Sequence, residues 1–316
     1  LILQTKTKRY EYHYPTNQLP FPVKVSPHGP ALEAIIDTWI DEYKCFTPSF
    51  NKQMKAIKVG HVIATYYPNA TFEKGLVIAQ WILWAFIIDD FYSYGPLEEL
   101  PIAAHRMLEI LQGGDPWPQD NDIVSRTAIV RDGLLPYVSI PWMKRFIRGH
   151  ITWFGGMQKE AEYSRSGGRK FLPLEEYLTV RLPALGGNET ADLADIVTGF
   201  MPPEEILQHP ILLHLRHLFT KITALCNDVF SIKKDIKNGD TMNSVLIIQY
   251  EQNCTIEEAQ AETIRMHNEA VDEFLAIRLA LPDLGSYQKG FEECILNMEL
   301  MIAGHLVWYQ YSERYE

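Results

Sequence analysis

Residues 227–240 run Asn-Asp-Val-Phe-Ser-Ile-Lys-Lys-Asp-Ile-Lys-Asn-Gly-Asp. On a helix, Asn227, Ser231 and Asp235 stand at i, i+4 and i+8, which lines up an amide, a hydroxyl and a carboxylate on one face. Hard oxygen ligands of this kind suit Mg²⁺ rather than zinc. One carboxylate and two neutral oxygens hold such an ion weakly, so the ion keeps waters or recruits phosphate oxygens from a substrate. Leu225, Cys226, Val229, Phe230 and Ile232 flank the three ligands and turn their face toward the protein interior. Asp228, beside Asn227, reads as a salt-bridge partner rather than a ligand.

A second acidic site lies upstream, where Trp81-Ile-Leu-Trp84-Ala-Phe86-Ile-Ile-Asp89-Asp90-Phe91-Tyr92 is an apolar helix ending in two adjacent carboxylates. The negative end of the helix dipole disfavours acids there, and adjacent like charges repel. Such a pair is tolerated where cations sit between it and a polyanion. The two sites together describe a diphosphate held by a small cluster of Mg²⁺ ions at the rim of an apolar pocket.

Outward from these motifs the pattern is helical. Pro15, Pro20, Pro22, Pro27 and Pro30 make residues 1–30 an extended N-terminal strap. From Leu32 onward, Ile35, Ile36, Trp39, Ile40 and Tyr43 follow a helical period. Further helices are expected over 51–66, 71–92, 97–112, 121–134, 138–164, 173–182, 188–199, 209–238, 243–251, 255–280 and 284–313. Breaks fall at Pro68, Gly113-Gly114, Gly167-Gly168, Gly186-Gly187, Pro202-Pro203 and Pro282. No alternating strand run, repeat or low-complexity segment interrupts them. The expectation is an all-α protein with one domain over 31–316.

Composition narrows the function. A chain of 316 residues with 47% hydrophobic content can bury a large core, and its net charge of −11 argues against nucleic acid and against an anionic membrane surface. An anionic substrate must then be attracted by local groups and metal rather than by the overall field. Cys45, Cys226, Cys254 and Cys294 lack metal-ligand spacing and read as buried free thiols in a reducing cytosol. The first ten residues hold too short an apolar stretch for a signal peptide, and the apolar run around 75–88 falls short of the ~20 residues of a membrane span. A soluble cytoplasmic protein is expected. The basic loop from Arg165 to Lys170 reads as solvated, with closure over a phosphate as its alternative; the segment from Asp235 to Asp240 reads as a flap.

With these residues in view, the chain resembles the class I terpene synthases (terpene cyclases) of the microbial single-domain type. Their aspartate-rich motif follows an aromatic WxxWxFxxDD run, as at Trp81–Asp90. Their second metal motif continues as SxxK(E/D)…GDxxNxV, matched by Ser231, Lys234, Asp235, Gly239, Asp240, Asn243 and Val245. A diphosphate-sensing segment looks like Tyr177-Leu178-Thr-Val-Arg181, and a C-terminal Arg-Tyr pair appears as Arg314-Tyr315. The resemblance implies a class I α-helical bundle around a central active-site cavity. It implies three Mg²⁺ ions recruited with a prenyl diphosphate, Mn²⁺ substituting, and cyclisation of the allylic cation with release of diphosphate. The default substrate is farnesyl diphosphate; geranylgeranyl diphosphate and a homodimer are left open.

The resemblance also assigns roles. Asp89, Asn227, Ser231 and Asp235 ligate metal. Arg181 senses the diphosphate, Lys234 neutralises it, and Arg314 with Tyr315 hydrogen-bonds it. Ser93 and Tyr94 stand where a third acid is usual, leaving Asp89 as the sole ligand of that site and Asp90 as a partner for an Arg. Ala184 takes the place of a linker acid or Thr, with an effector carbonyl at Leu185 or Gly186. Phe86, one turn before Asp89, and Trp308, one to two turns before Arg314, point where the metal motifs point and line the cavity; Tyr66, Tyr67, Trp153 and Phe154 are weaker candidates. An isoprenyl diphosphate synthase would show two aspartate-rich motifs, and a non-catalytic helical scaffold would not explain Mg²⁺-type spacing on two helices. An oxygen-only ligand set predicts that chelation abolishes diphosphate release while far-ultraviolet circular dichroism is unchanged; loss of helicity on chelation would instead mark the metal as structural.

Overall fold

The computed structural model describes residues 19–93, 95–96, 98–168 and 170–315. Residues 1–18 of the expected strap, Tyr94 and Arg169 lie outside the described residues. From Leu19 to His28 the chain runs without helix, as its prolines require. The first helix then opens two residues earlier than the expected domain boundary, with Pro30 in its first turn, where the missing N–H has no intrahelical partner to lose.

In chain order the helices are α1 Gly29–Asp41, α2 Pro48–Ala56, α3 Val59–Tyr66, α4 Phe72–Tyr92, α5 Glu99–Leu111, α6 Asp122–Ser125, α7 Thr127–Leu134 and α8 Ile140–Ser164. They continue as α9 Leu174–Ala184, α10 Gly187–Thr198, α11 Glu204–Leu207, α12 Pro210–Asn238, α13 Ser244–Gln252, α14 Ile256–Leu279 and α15 Gln288–Trp308. No strand occurs among the described residues. Side-chain caps set several starts: Thr71 accepts from Lys74 N at α4, Ser139 from Trp142 N at α8, and Asn243 from Val245 N at α13. A reciprocal Thr255–Glu258 capping box starts α14. Gly239, left-handed at φ 67°, ends α12.

α4 is apolar nearly all round, and it is the helix on which the acidic pair is mounted. By length and composition it could cross a membrane, contrary to the expectation that its apolar run was too short. Its place is decided by packing: Ile78, Trp81, Leu83, Trp84, Ile87 and Ile88 are buried among neighbouring helices, as expected of a helix hydrophobic on every side.

Four further expectations are corrected by tertiary contacts. The helix expected over 51–66 splits at Ile57-Lys58, where Lys58 is left-handed at φ 63°. There Ile57 O accepts Trp308 Nε1 at 2.8 Å, and Ala56 O accepts Glu313 N at 2.9 Å, so carbonyls that could extend α2 serve the C-terminal segment. The helix expected over 121–134 divides at Arg126, whose guanidinium lies 4.3 Å from the Tyr43 ring centre and pairs with Glu42. The last helix ends at Trp308, short of 313, because Tyr309 to Tyr315 turn back over the bundle. Cys45 is exposed in the connection between α1 and α2, not buried in a helix; all four thiols are free.

One close approach sets the depth at which α15 enters the core. A Cβ at Gly304 would stand 2.2 Å from Thr65 O and 2.6 Å from its carbonyl carbon, so α15 and α3 meet backbone to backbone. Gly304→Ala should therefore force the helices apart and lower stability by about 1–3 kcal/mol, the usual cost of overpacking. The urea midpoint measures this; an unchanged midpoint would show that α3 yields without cost.

Candidate active site

The helices enclose a cavity of about 1270 Å³, counted out to its mouth. Ten of the eleven sequence-predicted site residues line it: Phe86 and Asp89 from α4, Arg181 from α9, Asn227, Ser231, Lys234 and Asp235 from α12, Trp308 from α15, and Arg314 and Tyr315 from the tail. Asp90 does not line it. Its neighbour Asp89 has a side chain 42% exposed toward the cavity, whereas that of Asp90 is 1% exposed and turned into the protein.

Asp90 is held by a dense donor set. Arg314 grips both oxygens, through Nη1 to one and Nη2 to the other at 2.7 Å. Gln53 Nε2 donates at 3.1 Å and Lys234 Nζ stands 3.6 Å away. Burial alone would raise its pKa, but Arg314 and then Lys234 outweigh it and hold the carboxyl below its ordinary value. Asp89 shows the opposite balance. Burial and then the charge of Asp90 push its carboxyl up, against Arg314, Lys234 and Arg181. Arg314 Nη2 lies 3.4 Å from Asp89, and Ser93 Oγ also reaches it at 3.4 Å. The exposed end of α4 is covered by Arg165, which donates from Nε to Ser93 O at 2.7 Å and from Nη2 to Tyr92 O. Arg165 thus caps α4, so this member of the basic loop is neither solvated nor directed at the mouth.

On α12 the three oxygen ligands already touch one another or their surroundings. Ser231 Oγ donates to Asp235 at 2.5 Å, and Asn243 Nδ2 donates to Asp235 at 2.9 Å and to Ser231 at 3.2 Å. Asn227 Oδ1 accepts from Arg181 Nη2 at 3.2 Å, while its amide donates to Tyr309 and Tyr315 hydroxyls at 3.1 and 2.9 Å. Arg181 is held in turn by Glu160 at 2.7 Å. Asp228 is fully buried and accepts from the Tyr177 hydroxyl at 2.5 Å and Ser244 N at 2.9 Å. It stands behind the ligand face, fastening α9 and α13 to α12. Burial pushes its carboxyl up to about 6, against Arg181.

The loop after α8 is joined to the end of α12: Gly168 N donates to Gly239 O at 2.8 Å, and Thr241 Oγ1 to Lys170 O at 2.6 Å. α9 runs through Pro183 and ends at Ala184, and Gly186 takes φ 67° ahead of α10. This places Ala184, Leu185 and Gly186 on the cavity wall, with Ala184 O accepting Trp153 Nε1 at 3.0 Å.

Below the polar mouth the wall is aromatic. Phe86 and Trp308 face each other at 5.9 Å, and the Arg314 guanidinium stands 5.3 Å from the Phe86 ring centre. Of the weaker candidates, Tyr66 and Trp153 line the cavity; Tyr67 and Phe154 do not, Tyr67 donating to Thr190 O and Phe154 packing on Trp84. Trp308 reaches the wall although α15 ends there, so its helical phase relative to Arg314 was not what placed it. Sequence reasoning missed Trp81, Phe219 and His305 on the wall and Glu160 at the mouth. For Glu160 a signal existed, since its acid falls within an amphipathic helix near the expected basic loop. Burial pushes its carboxyl up to about 8, with Arg181 opposing and Asp240 and Asp89 adding. Asp240 itself, quoted only as part of a motif, also lines the mouth.

The oxygen donors Asp89, Asn227, Ser231 and Asp235 share one cavity, a set that fits a hard divalent ion. Arg314 Nε is buried with no hydrogen-bond partner among the described residues, a donor left over for an anion.

Comparisons with known proteins agree with this arrangement. The model of terpene synthase family 2, C-terminal metal binding, matches residues 80–273, a span that includes both acidic motifs. The chain is 26% identical to germacrene A synthase of Nostoc punctiforme, covering 94% of this chain and 93% of that protein. It is likewise 26% identical to (+)-T-muurolol synthase ((2E,6E)-farnesyl diphosphate cyclizing) of Roseiflexus castenholzii, covering 94% and 92%. The crystal structure of a-eudesmol synthase shares its fold, with a TM-score of 0.81, 22% identity and coverage of 93% of this chain and 98% of that one.

The unequal surroundings of the two aspartates predict unequal effects. Asp90→Asn removes the bidentate counter-charge of the buried Arg314, leaving only Asp89 at 3.4 Å, and should cost about 3–5 kcal/mol in stability. Asp89→Asn, open to the cavity, should change the urea midpoint little. Because the folded pKa of Asp90 lies below its unfolded one, its contribution is complete above the ordinary carboxylate pKa and lost as pH falls through the lower folded value. Equal destabilisation by both substitutions would sink this division.

Proposed function

The chain belongs to the terpene synthase family, whose class I members are metal-dependent cyclases, and from that premise we propose that it ionises farnesyl diphosphate and cyclises the resulting cation. The observation that carries this reading is one cavity with two chemistries: a mouth of carboxylates, Arg181, Lys234, Arg314 and Tyr315, and a wall of Phe86, Trp81, Trp153, Phe219 and Trp308. Such a cavity receives a diphosphate at one end and a hydrocarbon chain at the other. The farnesyl choice is supported by the substrate named for the muurolol synthase relative.

Asp89 would hold metal from the α4 side, and Asn227, Ser231 and Asp235 from the α12 side. When bound, Mg²⁺ ions, three by analogy with the family, neutralise the charge that develops on the departing diphosphate. For the chain's own residues, several existing bonds must be exchanged. Asn227 gives up the Arg181 hydrogen bond at 3.2 Å, which frees both an oxygen ligand and a guanidinium donor. Arg181, Lys234 and Arg314 then face the diphosphate with charge-assisted bonds, Arg in its bidentate geometry. Once this exchange is complete, the donors face the leaving group at fixed positions and stabilise the charge that develops on it. Asp90 orients Arg314 and Lys234 rather than touching substrate. Phe86 and Trp308 present ring faces beside the mouth, where a ring quadrupole stabilises a nearby cation by ~0.5–2 kcal/mol. The apolar wall excludes water so that the cation cyclises before it is quenched. We read residues 31–316 as one catalytic domain working in the cytoplasm.

Purified protein given Mg²⁺ and geranyl, farnesyl or geranylgeranyl diphosphate in separate reactions should release diphosphate and yield cyclic C15 products by gas chromatography–mass spectrometry. No diphosphate release from any of the three would overturn the reading. Asp89→Ala and Asn227→Ala should each lower turnover by orders of magnitude. Ser93→Ala, which removes only a long hydrogen bond to Asp89, should lower it by less than about tenfold, or ~1.4 kcal/mol.

A further inference from the structure

α15 carries His305 one turn before Trp308, and the backbone contact of Gly304 with Thr65 seats it in the cavity wall. The residue is 4% exposed, and neither ring nitrogen has a hydrogen-bond partner among the described residues. His150 shows what a structural histidine looks like in this protein: Trp81 Nε1 donates to its Nε2 at 2.9 Å, and its Nδ1 stands 2.7 Å from Phe146 O. Both nitrogens of that ring are used, which fixes its tautomer and the tilt of the Trp81 wall. His267, also buried, has Asn268 Oδ1 3.1 Å from its Nδ1.

His305 is held by ring contacts alone. Tyr66 meets it edge-on at 5.7 Å, Trp308 lies parallel to it at 5.9 Å, and Tyr309 stands at 4.8 Å. The ring nitrogens keep access to the cavity that His305 lines rather than being sealed inside protein, and without partners they add no stability that a phenylalanine of similar shape would lack. Burial, with His267 adding to it, pushes its pKa down to about 3, so the ring keeps an uncharged nitrogen lone pair at neutral pH. The neighbouring Tyr66 offers only a phenol oxygen, a weaker base.

We propose that His305 is the catalytic base that ends the carbon-skeleton reaction, taking the proton from the carbon adjacent to the last carbocation; this rests on the cyclase reading above. The C–H electron pair becomes the second bond of a new alkene, the positive charge on carbon is cancelled, and a ring nitrogen of His305 receives the proton. A C–H bond beside a carbocation is acidic enough to protonate even this weakened base. The imidazolium so formed is disfavoured by its apolar surroundings and passes its proton to water when the cavity reopens, which restores the neutral ring. The departed diphosphate, held at the mouth by Arg181 and Arg314, is the competing base, and it lies beyond Phe86 and Trp308.

His305→Phe keeps an aromatic ring in the wall and removes the lone pair; His305→Asn keeps polarity without a comparable base. With farnesyl diphosphate and Mg²⁺, both variants should release diphosphate within about threefold of the parent. The share of the parental main alkene should fall at least about tenfold, replaced by other double-bond isomers or by alcohols from water capture. Circular dichroism establishes that each variant is folded, and one folded variant suffices for the comparison. If neither variant folds, the ring is a core element and the proposal falls. Retention of the parental alkene by His305→Phe would assign the proton to the diphosphate instead. An alcohol as the parent's main product would overturn the proposal, as would loss of diphosphate release in a folded variant. Absence of diphosphate release from the parent itself would reject the cyclase reading rather than the role of His305.

Discussion

The bidentate ion pair between Asp90 and Arg314 joins positions 224 residues apart and fixes the C-terminal tail to the end of α4, where the site is built. Two adjacent carboxylates at the negative end of an apolar helix are a local liability. The tail answers it with a buried guanidinium, α12 adds Lys234, and the loop after α8 adds Arg165 on the terminal carbonyls. Three separate segments are thereby drawn to the end of α4. Because Asp90 absorbs Arg314 and Lys234 from behind, Asp89 alone faces the cavity. Two neighbouring residues of one type thus acquire different tasks from their surroundings, and the difference lies in which side of α4 each occupies.

The cavity owes its two chemistries to helix directions. α4 and α12 each run from an aromatic or apolar stretch to a polar end, and both place that polar end at the mouth. α15 followed by its reversed tail does the same with Trp308 and then Arg314. The apolar wall is made rigid by polar ties of its indoles: Trp81 to His150 and Trp308 to Ile57 O behind it, and Trp153 to Ala184 O within it. Each of these indole N–H groups is thereby satisfied by protein, which leaves the ring for the cavity. Among these rings His305 stands out, since its nitrogens have no such tie.

At the mouth the same economy produces mutual satisfaction rather than open sites. Asn227 bonds Arg181, Arg181 bonds Glu160, and Ser231 bonds Asp235. In the reading proposed above, these ligands and anion donors shield one another until a diphosphate with its metal gives each a better partner. Such exchange links substrate arrival to rearrangement of α9, α12 and the tail together, because the three share these bonds. Asp228, which accepts from Tyr177 and Ser244 N behind the ligand face, keeps α12 in register with α9 and α13, while Asn243 braces Ser231 and Asp235 from the side.

Much of this was legible in the chain itself. The spacing of Asn227, Ser231 and Asp235 determines a shared face because a helix repeats every 3.6 residues, and the acid pair after Trp81–Ile88 stands out because it breaks a local rule. The all-α class and most boundaries followed from periodicity, Pro, Gly and caps, all of which act within a few residues. Tertiary structure decided what depends on partners distant in sequence. Lys58 breaks a continuous helical pattern because the C-terminal segment takes the carbonyls of Ala56 and Ile57. Glu160, Trp81, Phe219 and His305 enter the site because of the angles at which α4, α8, α12 and α15 cross. The different fates of Asp89 and Asp90 likewise follow from where Arg314 arrives. Local energetics write the helices, but which side chains share a cavity is set by packing between segments that no short stretch of sequence contains.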